Sequence, residues 1–552
     1  MNNDFFKYRH LSGLIRAKSF RMLTLRTIGA DCLAVLAGCA APLIQKNLID
    51  AATSGNRRMI WLMLVLLAGL IISGFGLRTL ARLWRSKLSV LYRHELQRKM
   101  FDHLMLLPEG YLQSRGAGYF FNRLQHDISE VVLFIAHGGM ICYPEGVKLL
   151  LAFGAVTILD WRYALLMLPF IAIQSGLCLL FRPRQFKLAR KIQEKTANER
   201  HTMQELMNSH RLVKTHNSTQ EARARIDAGL TGLSALMNRK LDHDNLLQFL
   251  LQLPVWACGG LVVLTGLLNV ANKTATLGQV WALLGLLMLA FAPVRMLGNI
   301  FAQAQAAEAA WQRLRELWAI DTEKVAESTG QINLKGDIEF DQVTFAYSQK
   351  RNIIENLNLH VPGGSGVFIT GTNGSGKSTL LALLLRLFDV HSGRITVGGI
   401  NIKDSDLAAY RSRIGYIGQQ PEFFKGSLRE NLCIGSVKHS DDKLLDMFRE
   451  LHFEELLKRL PHGLDTQVSE RGDNFSGGEK LRLALVRELL RDTDILLFDE
   501  PAANLDAEGR QQFYKLLHHL PGEKTVLAVV HDLPENCQWQ TINLSDPTGM
   551  QA

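Results

Sequence analysis

Cysteine is scarce in this sequence, and the few cysteines are not arranged as pairs. The 552 residues include seven cysteines, none of them in a Cys-x-x-Cys motif, and most lie within apolar runs. In such runs cysteine commonly acts as a small hydrophobic residue. This distribution argues against both a metal centre and a disulfide framework.

Two patterns are absent from the sequence: an apolar segment of signal-peptide length in its first twenty residues, and the interleaved basic and aromatic residues of single-strand binders. Its first twenty residues are charged and contain no apolar segment of signal-peptide length, so we expect no cleaved signal. The net charge of +10 could serve nucleic acid, but basic and aromatic residues are not interleaved as in single-strand binders. We therefore expect no nucleic-acid partner.

Long apolar runs are present, and they are confined to the first part of the chain. Examples are Leu62–Ile72, Leu165–Ile173 and Leu246–Leu268. Beyond about residue 305 the apolar residues form segments of the size of ordinary strands and helices. Because 552 residues exceed one ordinary domain, this contrast predicts a membrane part followed by a soluble part.

Apolar segments of about 20 residues, the length of a membrane helix, occur six times. They cover residues 22–43, 59–79, 131–153, 157–181, 246–269 and 277–299. Long polar gaps separate the second segment from the third and the fourth from the fifth, yet their apolar residues keep a helical spacing. We predict that helices continue into the cytoplasm there and turn near residues 116–118 and 210–217.

Lys and Arg cluster before the first apolar segment and after the second and fourth. By the positive-inside rule, the N-terminus and both long gaps lie in the cytoplasm. The sequence therefore predicts a multi-pass membrane protein. We place it in a bacterial inner membrane, with the soluble part in the cytoplasm.

The strongest motif is a glycine-rich loop at residues 371–379, Gly-Thr-Asn-Gly-Ser-Gly-Lys-Ser-Thr. It follows an apolar strand and begins an apolar helix, which is the context expected of a phosphate-binding loop. Glycines let backbone N–H groups surround phosphate oxygens, and the helix N-terminus adds positive potential. Lys377 would contact the terminal phosphates, and the Ser378 hydroxyl suits Mg²⁺.

A second motif supplies carboxylates at the end of a strand. Residues 495–498 are apolar and predict a buried strand that leads into Asp499 and Glu500. Asp499 is placed to hold Mg²⁺, directly or through water, and Glu500 to orient or deprotonate an attacking water. The phosphate loop upstream favours this interpretation over a chance acidic turn.

A third motif is a second glycine turn, Phe475–Glu479, before a helix rich in Leu and Arg. Serine and glycines at a helix N-terminus form an anion site. Two such sites for one nucleotide would be redundant in a monomer. We therefore expect each chain to present this turn to the nucleotide of a partner.

With these motifs the sequence resembles ATP-binding cassette (ABC) transporters of the exporter type over almost its whole length. Residues 371–379 match the Walker A motif of that family, and residues 495–500 match Walker B with its catalytic glutamate. Phe475–Glu479 resembles the signature motif, with Phe for the usual Leu and Glu for the usual Gln. Residues 118–127 resemble the first cytoplasmic coupling turn.

The resemblance implies roles for further residues. Gln419 falls in the Q-loop, His531 at the switch histidine that steadies the γ-phosphate, and Tyr347 at the aromatic residue that stacks on adenine. The implied catalytic residues are Glu500, His531 and Gln419, and the implied Mg²⁺ ligands are Ser378, Gln419 and Asp499. The implied ATP-binding residues, including Asp506 of the D-loop, are Tyr347, Gly371, Thr372, Asn373, Gly374, Ser375, Gly376, Lys377, Ser378, Thr379, Ser476, Gly477, Gly478, Glu479 and Asp506.

The predicted fold class is a multidomain membrane protein. An all-α six-helix transmembrane domain with cytoplasmic coupling helices would occupy residues 1–305. A linker would follow at 306–335, and an α/β P-loop nucleotide-binding domain would occupy 336–552.

The predicted function is ATP-driven export, or flipping, of a hydrophobic, amphipathic or peptide-like substrate by alternating access. The expected cofactors are ATP and Mg²⁺. The expected partners are membrane lipid, the transported small molecule, peptide or lipid, and a second copy of the chain, with a heterodimer as the alternative. The alternative function is a lipid flippase or a regulatory ATP-gated membrane protein of the same fold.

Two sets of charges need an explanation. Glu479 in the signature turn would put a negative charge beside a phosphate site. Asp31, Glu145 and Lys148 lie inside apolar segments, where charges are costly. They either line the transport path or form salt bridges, Lys148 with Glu145 or with Asp31.

Overall fold

The positions of the helices follow the apolar segments of the sequence. The computed structural model describes residues 18–323, 334–347, 351–435, 439–503, 505–533 and 539–545. The basic residues before Lys18, residues 324–333 of the predicted linker and Asn504 of the predicted D-loop lie outside the described residues.

Within the described residues, six helical runs are long and apolar enough to cross a membrane, as predicted. The third run, Ala117–Leu159, is continuous but contains two π-helical stretches, Arg123–Asp127 and Phe134–Gly139. The helices of this part are α1 Lys18–Thr53, α2 Arg57–Leu104, α3 Glu109–Arg115, α4 Ala117–Asn122, α5 Ile128–Leu133, α6 Met140–Leu159, α7 Trp161–Asn208, α8 His210–Thr215, α9 Thr219–Ala271 and α10 Leu277–Trp318.

Several of these helices are much longer than a bilayer is thick. The helices α2 and α7 have 48 residues each, and α9 has 53. At about 1.5 Å per residue each exceeds 70 Å, more than twice a hydrocarbon core of about 30 Å. This agrees with the prediction that membrane helices continue well beyond the bilayer. The second predicted turn coincides with the short helix α8.

Side-chain caps form at the helix N-termini that follow the short connections between the long helices. The Asn56 side chain accepts a hydrogen bond from the backbone N–H of Met59, and Asp160 caps α7 in the same way. Thr276 and Gln279 form a reciprocal capping box at the start of α10. These caps satisfy backbone donors that a helix N-terminus leaves unpaired.

The described chain divides into two compact units. The helical unit takes the described residues of 1–105 and 118–320, and the α/β unit takes those of 106–117 and 321–552. The segment 106–117 therefore belongs to the α/β unit, although it lies between two membrane-spanning helices in the sequence. Inside that unit the Glu323 N–H donates to the Leu106 carbonyl oxygen at 2.7 Å, and a β-carbon on Gly110 would lie 3.0 Å from the Phe388 ring.

The turn predicted near residues 116–118 is present, whereas residues 118–127, which resemble the first coupling turn, are helical. The chain turns at Gly116, which has a φ of 72°, and residues 118–127 already belong to the third helical run. Asp127 is fully buried there and accepts hydrogen bonds from Arg123 at 2.7 Å and from Arg313 at 2.5 Å. This buried, twice-paired carboxylate connects the third helical run to α10 through Arg313.

The charges inside the apolar segments have partners, in one case across a helix contact and in the other within a single helix. Asp31 on α1 forms a salt bridge with Arg85 on α2. Lys148 lies 2.6 Å from both carboxylate oxygens of Glu145, one turn earlier on α6. The interpretation in which Lys148 pairs with Glu145 is thus confirmed, and a bridge between Asp31 and Lys148 is wrong.

The α/β unit is built around a parallel sheet. Among the described residues it has five strands in the order β11-β3-β10-β9-β6, beside a four-stranded antiparallel sheet in the order β2-β1-β4-β5. The strands are β1 Ile338–Phe345, β2 Ile354–Val361, β3 Gly366–Thr370, β4 Ser392–Val397, β5 Ile400–Asn401, β6 Ile414–Ile417, β7 Gly426–Ser427, β8 Gln467–Val468, β9 Ile495–Asp499, β10 Thr525–Val529 and β11 Gln540–Asn543.

Helices cover both faces of the parallel sheet. The helices are α11 Lys377–Leu384, α12 Leu407–Ser412, α13 Leu428–Leu432, α14 Asp441–Glu450, α15 Glu454–Arg459, α16 Gly477–Leu490 and α17 Ala507–His518. Phe368 and Phe498 pack into the core shared with α16 and α17, whereas Ile369 and Leu497 pack into the core shared with α11. Because strand side chains alternate between faces, a sheet covered on both sides needs the continuous apolar strands seen in the sequence.

Candidate functional site

The predicted site residues gather at one edge of the parallel sheet. The strands β3, β6, β9 and β10 run in the same direction, so their carboxyl ends meet at one edge, where α/β proteins commonly bind ligands. The loop after β3 carries the glycine-rich segment, and β9 ends at Asp499. Gln419 follows β6 and His531 follows β10.

The phosphate loop needs glycine at defined positions. Gly374 and Gly376 have φ angles of 83° and 94°, in the left-handed region that glycine adopts without strain. A β-carbon on Gly371 would lie 2.7 Å from the Ser375 hydroxyl oxygen. These glycines allow the backbone to turn tightly between Thr370 and the first residue of α11.

Lys377 lies over the loop that precedes it. Its side chain is largely buried, and its ammonium group donates to the carbonyl oxygens of Gly371 at 2.8 Å and Thr372 at 3.1 Å. The Ser375 hydroxyl is buried and has no hydrogen-bond partner among the described residues. A cation and an unpaired polar group beside backbone N–H groups fit a phosphate-binding cradle.

Oxygen ligands suited to Mg²⁺ lie beside the loop. The Ser378 hydroxyl donates to Asp499 at 2.9 Å. Burial raises the pKa of Asp499, the neighbouring Glu500 charge raises it further, and hydrogen bonds from Ser378 and Tyr416 oppose both effects. Burial, followed by the Asp499 charge, raises the pKa of Tyr416 to about 12, and its hydroxyl donates to Asp499.

Glu500 joins the other predicted catalytic residues. Its Oε2 accepts a hydrogen bond from the Gln419 amide at 3.2 Å, and its Oε1 lies 3.0 Å from the His531 Nε2. Glu500 has a φ of 50°, which is uncommon for a residue other than glycine. Its N–H donates to the Val529 carbonyl oxygen, which ties this turn to β10.

Tyr347 lies beside the helix that follows the phosphate loop. Its hydroxyl is 3.2 Å from the Thr379 hydroxyl, and its ring packs edge-on against Phe345 and Phe388, each at 5.0 Å between ring centroids. About half of its surface remains exposed. An exposed ring at this position can stack on a base, and its adenine contact stays a prediction.

The signature turn lies at the start of α16. Ser476 is the N-cap, and the Glu479 carboxylate accepts hydrogen bonds from the Ser476 N–H at 2.8 Å and hydroxyl at 2.9 Å. Glu479 is thus held in a capping box that stabilises the helix N-terminus. The Glu479 carboxylate is directed to the chain's own Ser476, so its charge opposes a nearby phosphate less than the sequence alone indicated. Gly477 and Gly478 form the first turn of the helix.

Asp506 and the signature turn are not joined to the phosphate loop. Asp506 caps α17 by accepting a hydrogen bond from the Gly509 N–H at 2.9 Å. Among the described residues, no hydrogen bond links Asp506 or residues 476–479 to residues 371–379. Within one chain the phosphate loop therefore lies with Asp499, Glu500, Gln419 and His531 at one sheet edge, whereas Asp506 and residues 476–479 are not bonded to that loop among the described residues.

Two polar residues of this edge were not predicted from the sequence. Tyr416 on β6 bonds Asp499, and the Ser545 hydroxyl accepts a hydrogen bond from the Thr372 N–H at 2.7 Å. Side chains alternate between the two faces of a strand, so Tyr416 lies on the same face of β6 as Ile414, which packs with α11. This alternation could have predicted from the sequence which face of the sheet Tyr416 occupies. No local pattern marks Ser545, because its position depends on the pairing of β11 with β3.

The donor set also fits the expected metal. Among the described residues, no group of three or more His, Cys, Asp or Glu side chains could hold a metal ion. Mg²⁺ usually takes one or two protein carboxylates together with phosphate oxygens and waters. Ser378, Asp499 and Gln419 are consistent with that kind of site and not with a metal centre built from protein ligands alone.

Two family models match the chain. The ABC transporter model matches residues 354–503, and the ABC transporter transmembrane region model matches residues 28–294. The chain therefore belongs to the ABC transporter family, with the membrane region and the ATPase fused in one polypeptide.

Individual relatives and a solved structure agree with this assignment. The "Uncharacterized ABC transporter ATP-binding protein YwjA" of Bacillus subtilis is 28% identical over 467 residues, 83% of this chain and 80% of that protein. The "ATP-dependent lipid A-core flippase" of Pasteurella multocida is 27% identical over 442 residues, 79% of this chain and 76% of that protein. The "Structure of a bacterial Atm1-family ABC exporter with ATP bound" aligns with a TM-score of 0.81 at 21% identity, over 95% of this chain and 94% of that chain.

These findings confirm the predicted fold class and the predicted general activity. The protein is a multi-pass membrane protein with an exporter-type fold, and its α/β domain is an ATPase coupled to transport.

Proposed function

We propose that the protein works as a homodimer of half-transporters in a bacterial inner membrane and uses Mg²⁺-dependent ATP hydrolysis to export or flip an amphipathic, lipid-like substrate. The observation that carries the dimer is the division of the nucleotide-binding parts within one chain. Lys377, Asp499 and Glu500 share one sheet edge, while the signature turn forms no hydrogen bond to the phosphate loop among the described residues. A second copy can supply that turn to each nucleotide.

ATP binding would use the phosphate loop of one chain and the signature turn of its partner. The backbone N–H groups of residues 374–379 would surround the phosphates, and Lys377 would exchange its contacts with the loop carbonyls for contacts with phosphate oxygens. The helix N-terminus at Ser476–Gly478 would add a second positive end on the opposite side. Tyr347 would stack on adenine, and Asp506 would lie at the contact between the chains.

Mg²⁺ would be held by Ser378, Asp499 and Gln419 together with phosphate oxygens. When bound, the ion neutralises charge on the phosphate oxygens. The hydrogen bond between Ser378 and Asp499 at 2.9 Å already positions two of these ligands. Tyr416 would keep the Asp499 carboxylate oriented by donating to it.

Glu500 would act as the general base on the attacking water. Its carboxylate is oriented by Gln419 on one oxygen and by His531 on the other. His531, which is half exposed, would release Glu500 and contact the γ-phosphate. General-base catalysis by an oriented carboxylate contributes about 10²- to 10⁴-fold to a rate.

The substrate class is proposed from the relatives and from the membrane helices. One relative is named a lipid A-core flippase, which supports an amphipathic lipid and keeps lipid flipping open as the form of transport. The helical unit also carries charged side chains inside its apolar segments, at Asp31, Glu145 and Lys148, and Asp31 is paired with Arg85. A path that contains polar groups suits a molecule with both an apolar body and a charged head.

ATPase stimulation in lipid bilayers tests the proposal. Purified protein should hydrolyse ATP in proteoliposomes, and amphipathic lipids should stimulate the rate several-fold more than hydrophobic cations or peptides. Stimulation by peptides alone would contradict the substrate class. Binding of ATP without hydrolysis would favour the regulatory ATP-gated protein instead.

A further inference from the structure

The end of strand β11 lies against the first turn of the phosphate loop. The strand pairs in parallel with β3, with Asn543 opposite Thr370. The pairing continues beyond the strand, because the Leu544 N–H donates to the Thr370 carbonyl oxygen at 2.9 Å. This continuation brings Ser545 to the start of the loop.

Ser545 makes two direct contacts with Thr372. Its hydroxyl oxygen accepts a hydrogen bond from the Thr372 N–H at 2.7 Å and lies 3.2 Å from the Thr372 hydroxyl oxygen. The Ser545 N–H donates to the Asn543 side chain at 3.0 Å, which fixes the backbone from which the hydroxyl projects. The hydroxyl is thus a positioned acceptor.

The peptide segment that Ser545 holds is the one that also holds Lys377. The Lys377 ammonium donates to the carbonyl oxygens of Gly371 and Thr372. The Ser545 hydroxyl accepts a hydrogen bond from the Thr372 N–H, which lies between those two carbonyls along the chain. When Lys377 turns towards a phosphate, its bonds to these carbonyls weaken. The bond to Ser545 does not involve Lys377 and can keep the segment in place.

We propose that Ser545 is a positioning residue of the ATP site, which holds the first turn of the phosphate loop in its binding conformation and thereby sets the affinity for ATP. The proposal rests on the proposed function in taking residues 371–379 as the phosphate site. If only a fraction of the molecules have the loop in its binding conformation, the affinity for ATP falls in proportion to that fraction. Loss of the hydroxyl should therefore weaken ATP binding and leave the chemical step nearly unchanged.

The test compares Ser545→Val with Ser545→Thr in the full chain reconstituted in lipid. The two replacements have nearly the same shape, and only threonine keeps the hydroxyl. For Ser545→Val we expect the KM for ATP and the dissociation constant of a non-hydrolysable ATP analogue to rise about three- to tenfold, the effect of one lost hydrogen bond. The kcat should stay within about twofold, and Ser545→Thr should restore the affinity.

Ser412→Ala serves as the matched control, because Ser412 has an exposed hydroxyl that donates to the Ala409 carbonyl oxygen away from the phosphate loop. It should change neither constant. Unchanged analogue affinity in Ser545→Val would overturn the proposal, as would a fall in kcat alone or equal losses in Ser545→Val and Ser545→Thr. If the unaltered chain binds and hydrolyses ATP, such a result rejects the role of Ser545 only; if the unaltered chain binds no analogue, the proposed function fails as well.

Discussion

At the residue scale, the two adjacent carboxylates of Walker B have different surroundings. Asp499 bonds Ser378 and Tyr416, which suits a residue that holds a metal ion. Glu500 instead meets Gln419 and His531, which lie on loops after two other strands. Glu500 also has a left-handed backbone conformation, and its side-chain partners differ from those of Asp499.

Replacing Glu500 by Gln should separate ATP binding from hydrolysis. The change keeps the size and the contact with Gln419 but removes the group that can accept a proton from water. We expect ATP hydrolysis at least ~100-fold slower, with ATP still bound. Phosphate release and nucleotide retention by the purified chain measure the two effects.

The control is Glu455→Gln, at an exposed glutamate on α15. It should leave both quantities unchanged. Hydrolysis by Glu500→Gln within a few-fold of the unaltered rate would exclude Glu500 as the base.

At the element scale, the salt bridge between Asp31 and Arg85 connects α1 with α2. Both side chains are mostly buried, with exposed fractions of 13% and 12%. A buried pair adds little net stability, but one partner left alone is costly because its charge is uncompensated. This pair should therefore determine how tightly the two helices associate.

Neutralising one member of the pair should destabilise the helical unit more than neutralising both. We expect Asp31→Asn or Arg85→Gln to lower the unfolding free energy by about 3 kcal/mol and the double variant to recover part of it. Thermal unfolding in lipid nanodiscs provides the comparison. The exposed pair of Arg190 and Glu194 is the control, since Glu194→Gln should change stability by less than about 0.5 kcal/mol.

Additive losses in the double variant would show that the two charges act independently. In that case the charge of Asp31 would be available to the transport path, and substrate-stimulated ATPase should change in Asp31→Asn while basal ATPase does not.

At the scale of the whole molecule, each nucleotide should need two chains. The phosphate loop and the signature turn are both intact in one chain, but they belong to different parts of the α/β unit and are not hydrogen-bonded to each other among the described residues. A homodimer would form two equivalent composite sites. Defects in the two motifs should then complement each other across subunits.

Mixing chains with Lys377→Ala and chains with Gly477→Asp tests this arrangement. Asp at a helix N-terminus is tolerated by the fold, yet it would repel a phosphate of the partner's nucleotide. Each variant alone should be inactive, whereas the mixed dimer has one site with both defects and one intact site. ATPase activity in the mixture should reach roughly a quarter of the unaltered rate, since half of random dimers are mixed and each has one working site.

Absence of recovery would mean strict coupling of the two sites or a wrong pairing of motifs. Disulfide crosslinking between cysteines introduced at Ser378 and Ser476 distinguishes the two explanations. A crosslink between chains supports the pairing, and its absence contradicts it.

The membrane helices and the phosphate loop could be predicted because their physical causes are local. An apolar run of about 20 residues suits a bilayer whatever surrounds it. The loop from Gly371 to Lys377 follows from glycine φ angles and from the strand and helix on either side. Asp499 and Glu500 could be located for the same reason, since four apolar residues and two acids at a strand end form a local pattern.

The tertiary structure decided which partner each polar side chain contacts. Asp31 meets Arg85 because α1 packs on α2, and Ser545 meets Thr372 because β11 pairs with β3. Asp127, in the segment that resembles a coupling turn, is instead buried in a helix and paired with Arg313, a residue far away in the sequence. Apolar segments and local motifs thus determined a membrane part fused to a nucleotide-binding part, and their resemblance to a known family indicated the class of protein. Pairings between distant segments depend on packing, which no local pattern encodes.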